Sequence, residues 1–242
     1  MSRILINLIK NGLLLFFLTN YAHAADNNRV SAGVGLSKTR VIYHSENNNG
    51  NVLRVNNPNE YPVLVKSVVL DETMRKQAPF IITPPLFRLE AGQSNILNII
   101  RTGGDFPSDR ETVNLICVES IPPVSDDKPS APSVDMSVKI LIKSCIKMFY
   151  RPELLRGNPV SMADNVSWKI TGHDLTGSNP SPFFINIREI YFNGEKLNME
   201  KNYIPPFSET SFSLSAPVRK GTLKWTVIGD YGESREKTTV VK

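Results

Sequence analysis

Only two cysteines occur in the chain, Cys117 and Cys145. A zinc site built from several thiolates needs more, and so does a small scaffold held by many disulfides. Histidine is nearly as scarce, with His23, His44 and His173 the three present. There is no Gly-x-Ser-x-Gly, no His-Glu-x-x-His and no phosphate-binding loop. Gly33-Val34-Gly35 lacks the third glycine of a dinucleotide fingerprint. His173-Asp174 follows a glycine and reads as a solvated turn rather than a catalytic pair. Asn165-Val166-Ser167 fits a glycosylation acceptor, a pattern common by chance. Charge of one sign is also in short supply. The 28 Lys and Arg against 23 Asp and Glu leave +5, too small an excess to argue for nucleic acid. The chain therefore reads as a non-enzyme that needs no cofactor and no metal. With 40% hydrophobic residues it is a folding chain, not a disordered one.

One long apolar run is present, and it lies at the beginning. Arg3 and Lys10 supply positive charge, Gly12 to Leu18 reads GLLLFFL, and Ala22-His23-Ala24 is a small-x-small cleavage site. This predicts a secretory signal peptide over residues 1–24. A membrane anchor is the alternative, but Lys10 interrupts the run and Asn20 ends it well short of the ~20 apolar residues that span a bilayer. No later segment suits a membrane, so no membrane insertion is expected. The exported chain would reach a compartment in which disulfides form.

Residues 25–242 read as β throughout. Seventeen prolines leave little room for long helices. Short apolar runs recur beside Asn, Gly, Pro or Ser clusters: Val52 to Val55, Val63 to Leu70, Ile96 to Ile100 and Val113 to Val118. Further on come Val166 to Ile170, Phe183 to Ile187, Ile190 to Phe192, Thr210 to Leu214 and Thr222 to Ile228. Asn193-Gly194 is a hairpin signal. The fold class is all-β, with two immunoglobulin-like β-sandwich domains dividing near Tyr150-Arg151-Pro152, over residues 25–150 and 151–242. A single barrel is the alternative. Ile-Pro-Pro occurs at Ile121 and again at Ile204, a match too short to establish a repeat.

Cys117 lies in the strand-like Thr112 to Ser120, and Cys145 ends another, Val134 to Cys145. A polar, proline-rich stretch, Ile121 to Pro132, separates them. Two neighbouring strands stapled at the base of a long hairpin fit this context and export; two free thiols are the alternative. Within the second strand Val134, Met136, Val138, Ile140 and Ile142 are all large and apolar. Asp135, Ser137, Lys139 and Lys143 are polar, and Leu141 is the exception. This period of two describes a half-buried strand over its own core, or an edge strand offering an apolar row to another chain.

Several segments resemble a known family in one consistent order. They are Thr39-Arg40-Val41-Ile42-Tyr43, Thr83 to Gly92, Asp109-Arg110-Glu111, Ile121-Pro122-Pro123, Cys145 to Pro152, Asn179 to Phe183, Tyr203 to Pro206 and Gly229-Asp230-Tyr231-Gly232. Together they resemble the periplasmic chaperones of the chaperone–usher pathway, the PapD-like family, over nearly all of residues 25–242. The cysteine pair and the long stretch between them resemble its subfamily with a long F–G connection, which serves capsule-like, thin fimbrial or afimbrial adhesins. The N-terminal segment fits too: Val30, Ala32, Val34 and Leu36 alternate there with Ser31, Gly33, Gly35 and Ser37.

The resemblance implies two immunoglobulin-like domains set in an L or boomerang, and a periplasmic location. It implies fimbrial or adhesin subunits and an outer-membrane usher as partners, and leaves open self-association of the free protein. It assigns Val134, Met136, Val138, Ile140 and Ile142 to a donor strand. Arg40 and Lys147, which on sequence alone are surface charges, it assigns to binding the subunit's terminal carboxylate. Glu111, Arg151 and Asp230, alone three solvated loop charges, become an interdomain salt-bridge network. A displayed two-domain adhesin is the competing reading. A displayed subunit of such a system should lack its last strand, whereas Arg235 to Val241 here looks like one.

Overall fold

The computed structural model describes residues 33–46, 49–123 and 140–242. The expected leader over 1–24, the N-terminal Val30 and Ala32, and Val134, Met136 and Val138 of the expected donor strand lie outside them. Two β-sandwiches make up the described chain. In the first, β1 (Gly35–Leu36), β3 (Asn51–Asn56), β7 (Ser94–Arg101) and β5 (Phe80–Thr83) form one sheet in the order β1-β3-β7-β5. The facing sheet runs β2-β9-β8-β4-β6, from β2 (Arg40–His44), β9 (Ile142–Arg151), β8 (Thr112–Ile121), β4 (Val63–Asp71) and β6 (Leu86–Leu89).

Alternation explains the packing. Leu53 and Val55, Val63 and Val65, Leu97 and Ile99, Ile116 and Val118, and Met148 and Tyr150 each sit two apart and fill one core. Val34 and Leu36 pack against it from the N-terminal segment. That segment changes sheets: Leu36 pairs with Val55 of β3, and by Arg40 the chain has joined β9. The β2–β9 pair is parallel, while every other pair of strands among the described residues is antiparallel.

The second sandwich has a three-stranded sheet, β10 (Ser167–Thr171), β11 (Asp174–Asn179) and β15 (Ser208–Ser213). Against it lie β12 (Ile185–Phe192), β13 (Glu195–Lys196), β14 (Tyr203–Ile204), β16 (Gly221–Ile228) and β17 (Ser234–Val241). Its core holds Leu175, Ile185, Ile187, Ile190, Phe212, Leu223, Trp225 and Val227. Asn193 and Gly194, with φ of 51° and 87°, make the tight turn between β12 and β13 that the dipeptide signals. The one α-helix among the described residues, Pro159–Met162, is a single turn capped by Asn158.

Each sandwich carries the same internal clamp. The buried Asn57 amide donates to the carbonyls of Tyr61, Leu89 and Glu90, while its Oδ1 accepts from Asn59 N. Asn179 does likewise with Phe183, Ile204, Pro205 and Ser181. Both are followed by proline.

Two strands differ from the sequence expectation. Cys145 does not end a strand; β9 continues through it to Arg151. The expected strand Phe183 to Ile187 begins only at Ile185 and is not separate from Ile190 to Phe192; both lie along β12, interrupted by a register shift between Ile187 and Glu189. Arg188 is the extra residue there.

Candidate functional site

The second strand of the long hairpin organises the site. In β9 the even residues Ile146, Met148 and Tyr150 face the first core. The odd residues Cys145, Lys147, Phe149 and Arg151 face away from it. Cys117 and Cys145 are direct partners across β8 and β9, with Cα atoms 4.1 Å apart, and they are disulfide-bonded. Phe149 packs on Val113, Phe184, Ile42 and Tyr203, an apolar contact between the two sandwiches.

Arg40 and Lys147 are register partners on β2 and β9. Neighbours in a parallel ladder point to the same side, so both cations leave the outer face together. Among the described residues neither has a carboxylate within ion-pair distance. Arg40 Nε is buried without a hydrogen-bond acceptor among the described residues. Burial disfavours the charged form and lowers the Arg40 pKa, although Asp230 and Glu233 oppose this. A cleft of about 490 Å³ opens beside Arg40, lined also by Thr39, His44, Asp230 and Tyr231.

Lys147 reaches into the second domain. Its Nζ donates to Asn202 Oδ1 at 2.7 Å and to Asn186 Oδ1 at 3.2 Å. It also lies 4.3 Å from the centre of the Tyr203 ring. Burial, reinforced by the neighbouring Arg40 charge, pulls its pKa down to about 8. Nothing in the spacing of the sequence points to Asn186, Asn202 or Tyr203 as neighbours of Lys147, because they come from a different domain.

At the end of the same face, Arg151 joins both domains. Its Nε donates to Glu111 Oε1 at 2.6 Å, and its two terminal nitrogens form a fork on Asp230 at 2.7 Å each. Glu111 is only 2% exposed. Its other oxygen accepts from Phe184 N at 2.8 Å, and its backbone N–H donates to Pro182. Burial raises the Glu111 pKa even though Arg151 works against it. The three charges that sequence alone reads as solvated are thus in one partly buried cluster.

The other end of β9 is paired on one flank only among the described residues. Ile142 to Ile146 pair with β8 on one flank. On the other flank β2 begins only at Lys147, and no other strand among the described residues pairs there. Just before it, Ile140 is 67% exposed and Leu141 59%. Ile142 is half-buried, its side chain against Gly33. Among the described residues no cluster of His, Cys, Asp and Glu could hold a metal ion, and no helix is long and apolar enough to cross a membrane.

Paired immunoglobulin-like sandwiches, with a strand flank unpaired and two cations without an ion-pair partner among the described residues, define a class of protein built to hold another polypeptide. Residues 33–156 match the family described as pili and flagellar-assembly chaperone, PapD N-terminal domain, and residues 161–239 match pili assembly chaperone PapD, C-terminal domain. The chain belongs to this family of pilus-assembly chaperones, whose role is not an enzymatic one. It is similar to the chaperone protein AggD of Escherichia coli, 42% identical over 226 residues that cover 88% of each chain. It is also similar to the chaperone protein PsaB of Yersinia pestis, 41% identical over 230 residues, covering 86% of this chain and 84% of that one. Among solved structures, the E. coli chaperone DraB superposes with a TM-score of 0.78 at 41% identity, over 87% of this chain and 97% of that chain. A structure of the Salmonella enterica SafA pilin in complex with the SafB chaperone gives 0.77 at 38% identity, over 86% and 96%. These matches set aside the reading as a displayed adhesin.

Proposed function

We propose that the protein is a periplasmic chaperone that captures fimbrial or adhesin subunits by strand addition and passes them to an outer-membrane usher. The observation that carries this reading is the register pairing of Arg40 with Lys147 at the end of a strand flank that no other strand among the described residues pairs with. A subunit lacking its own last strand has an open apolar groove. A strand of the chaperone laid into it shields that surface from aggregation. Residues Val134, Met136, Val138, Ile140 and Ile142 supply the apolar row. Each contributes ~1.5–3 kcal/mol of burial before ordering costs. Arg40 and Lys147 take the terminal carboxylate, the arginine as a fork and the lysine as a point charge. Fixing the chain end sets the register, since a slip of one residue turns the wrong faces together.

In this reading residues 1–24 are a cleaved leader, 25–150 the subunit-binding domain, and 151–242 the second domain. The Glu111–Arg151–Asp230 cluster holds the angle between the two. The protein hydrolyses nothing and carries no cofactor.

The test is purification from periplasm with mass spectrometry of whatever is bound, for wild type, Arg40→Ala and Lys147→Ala. Subunits should co-purify with the wild type. Each variant should bind them more weakly, by roughly 2–5 kcal/mol, as for truncating one partner of a buried charge pair. Unchanged recovery with both variants would overturn the anchor.

A further inference from the structure

Lys147 belongs to the first domain, but its ammonium is held by the second, and by uncharged groups. Asn186 and Tyr203 are cross-strand partners on β12 and β14, and Asn202 precedes Tyr203, so adjoining positions of one ladder supply all three contacts. Each contact is itself fixed. Asn186 Nδ2 donates to Phe184 O at 3.3 Å, which leaves its Oδ1 for Lys147. The Asn202 carbonyl accepts from Ile187 N at 2.9 Å. Tyr203 packs against Phe184 with the two rings tilted, and its hydroxyl donates to Glu72 of the first domain.

Resting on the carboxylate-anchor reading, we propose that Asn186, Asn202 and Tyr203 are positioning residues through which the second domain sets how strongly Lys147 grips the subunit's terminal carboxylate. Amide oxygens and an aromatic face orient an ammonium without neutralising it. The full charge stays available for an incoming anion. A carboxylate in the same place would hold Lys147 as well or better, yet would leave little for the subunit to bind. The charged groups acting on the ammonium are Arg40, Glu72 and Lys201. Glu72 is tied to the Tyr203 hydroxyl and lies 3.6 Å from Lys201, so its charge is engaged beside the anchor and not on it. The second domain thus sets the affinity of a carboxylate it need not touch.

The experiment compares a subunit-tail peptide as the free acid and as the C-terminal amide, using the full exported chain. Wild type should prefer the acid. Asn202→Asp should cut the acid-over-amide preference at least tenfold while raising the pH at which the Lys147 ammonium titrates, read by NMR of labelled lysine. Asn202→Leu should also cut the preference but lower that titration. A merely structural role predicts no such opposed pair. Asn202 is exposed, so both variants should fold, and circular dichroism checks this. An unchanged preference in Asn202→Asp overturns the proposal while leaving the anchor standing. Equal binding of acid and amide by wild type overturns the anchor itself.

Discussion

Cys145 and Lys147 leave the same face of β9 two residues apart, and Cys145 is bonded to its direct cross-strand partner Cys117. The disulfide therefore pins the hairpin next to the cation and at the base of the open flank. Free-thiol labelling of unreduced protein should fail, and reduction should add two hydrogens by intact mass. The Cys117→Ala, Cys145→Ala double variant should lose ~3.5 kcal/mol of stability in urea unfolding, the scale expected for releasing a loop of this separation.

Ile140 is mostly exposed in the free chain, so a charge there costs the fold little. Ile140→Asp should leave the circular dichroism and melting temperature near wild type. It should abolish subunit capture in a pull-down, because an aspartate entering a dry groove is an unpaired buried charge. Val138→Asp should behave alike. Unfolding of both variants would instead mean that this strand covers the chaperone's own core.

Arg151 is the hub of a partly buried cluster, and Glu111 is almost wholly buried. Arg151→Met leaves Glu111 unpaired and should destabilise the protein by roughly 3–5 kcal/mol, measured by chemical unfolding. Solution scattering should show a wider spread of interdomain angles. An unchanged scattering profile would sever the cluster from any role in domain orientation.

The lowered pKa of Lys147 gives two opposite pH slopes. With Lys147 as the proposed anchor, free protein should bind the tail best with Lys147 charged, and a bound carboxylate should raise the lysine's pKa again. Affinity should be full below pH about 8 and fall as pH rises through it. Stability moves the other way. The folded pKa lies below the unfolded one, so the cost of burying the charge is complete below about 8 and is relieved above it. Peptide anisotropy and urea melts between pH 6.5 and 9.5 measure both. Lys147→Arg should flatten both curves.

Much of the fold is legible where one face of a strand is wet. Val52 to Val55 and Ile96 to Ile100 alternate, and both are strands. The pattern fails at Met148-Phe149-Tyr150, where the core takes one face and the second domain the other. With both faces dry, alternation vanishes, and the pattern alone ends the strand too early, at Cys145. The bulge at Arg188 similarly splits β12, because an extra residue resets the period. The neighbours of Lys147 have no local signal at all. Asn186 and Asn202 gain their meaning only when two domains meet. The repeated Ile-Pro-Pro closes a strand both times, Ile121 ending the ten-residue β8 and Ile204 the two-residue β14, a likeness of strand ends alone. The true internal correspondence is the Asn-Pro clamp at Asn57 and Asn179.

The outer side of β9 behaves as a ruler. Disulfide, cation, aromatic contact and ion cluster fall at Cys145, Lys147, Phe149 and Arg151, graduations about 6.6 Å apart at ~3.3 Å per residue. With the proposed anchor, a subunit measured from its chain end at Lys147 would have every side chain assigned a distance along this scale. Lengthening its tail by one residue should invert which side chains face the chaperone. Lengthening by two should restore the faces and merely displace them by one graduation. Subunits served by one such chaperone would then share the spacing between their final residue and their apolar groove, even where little else in their sequences agrees.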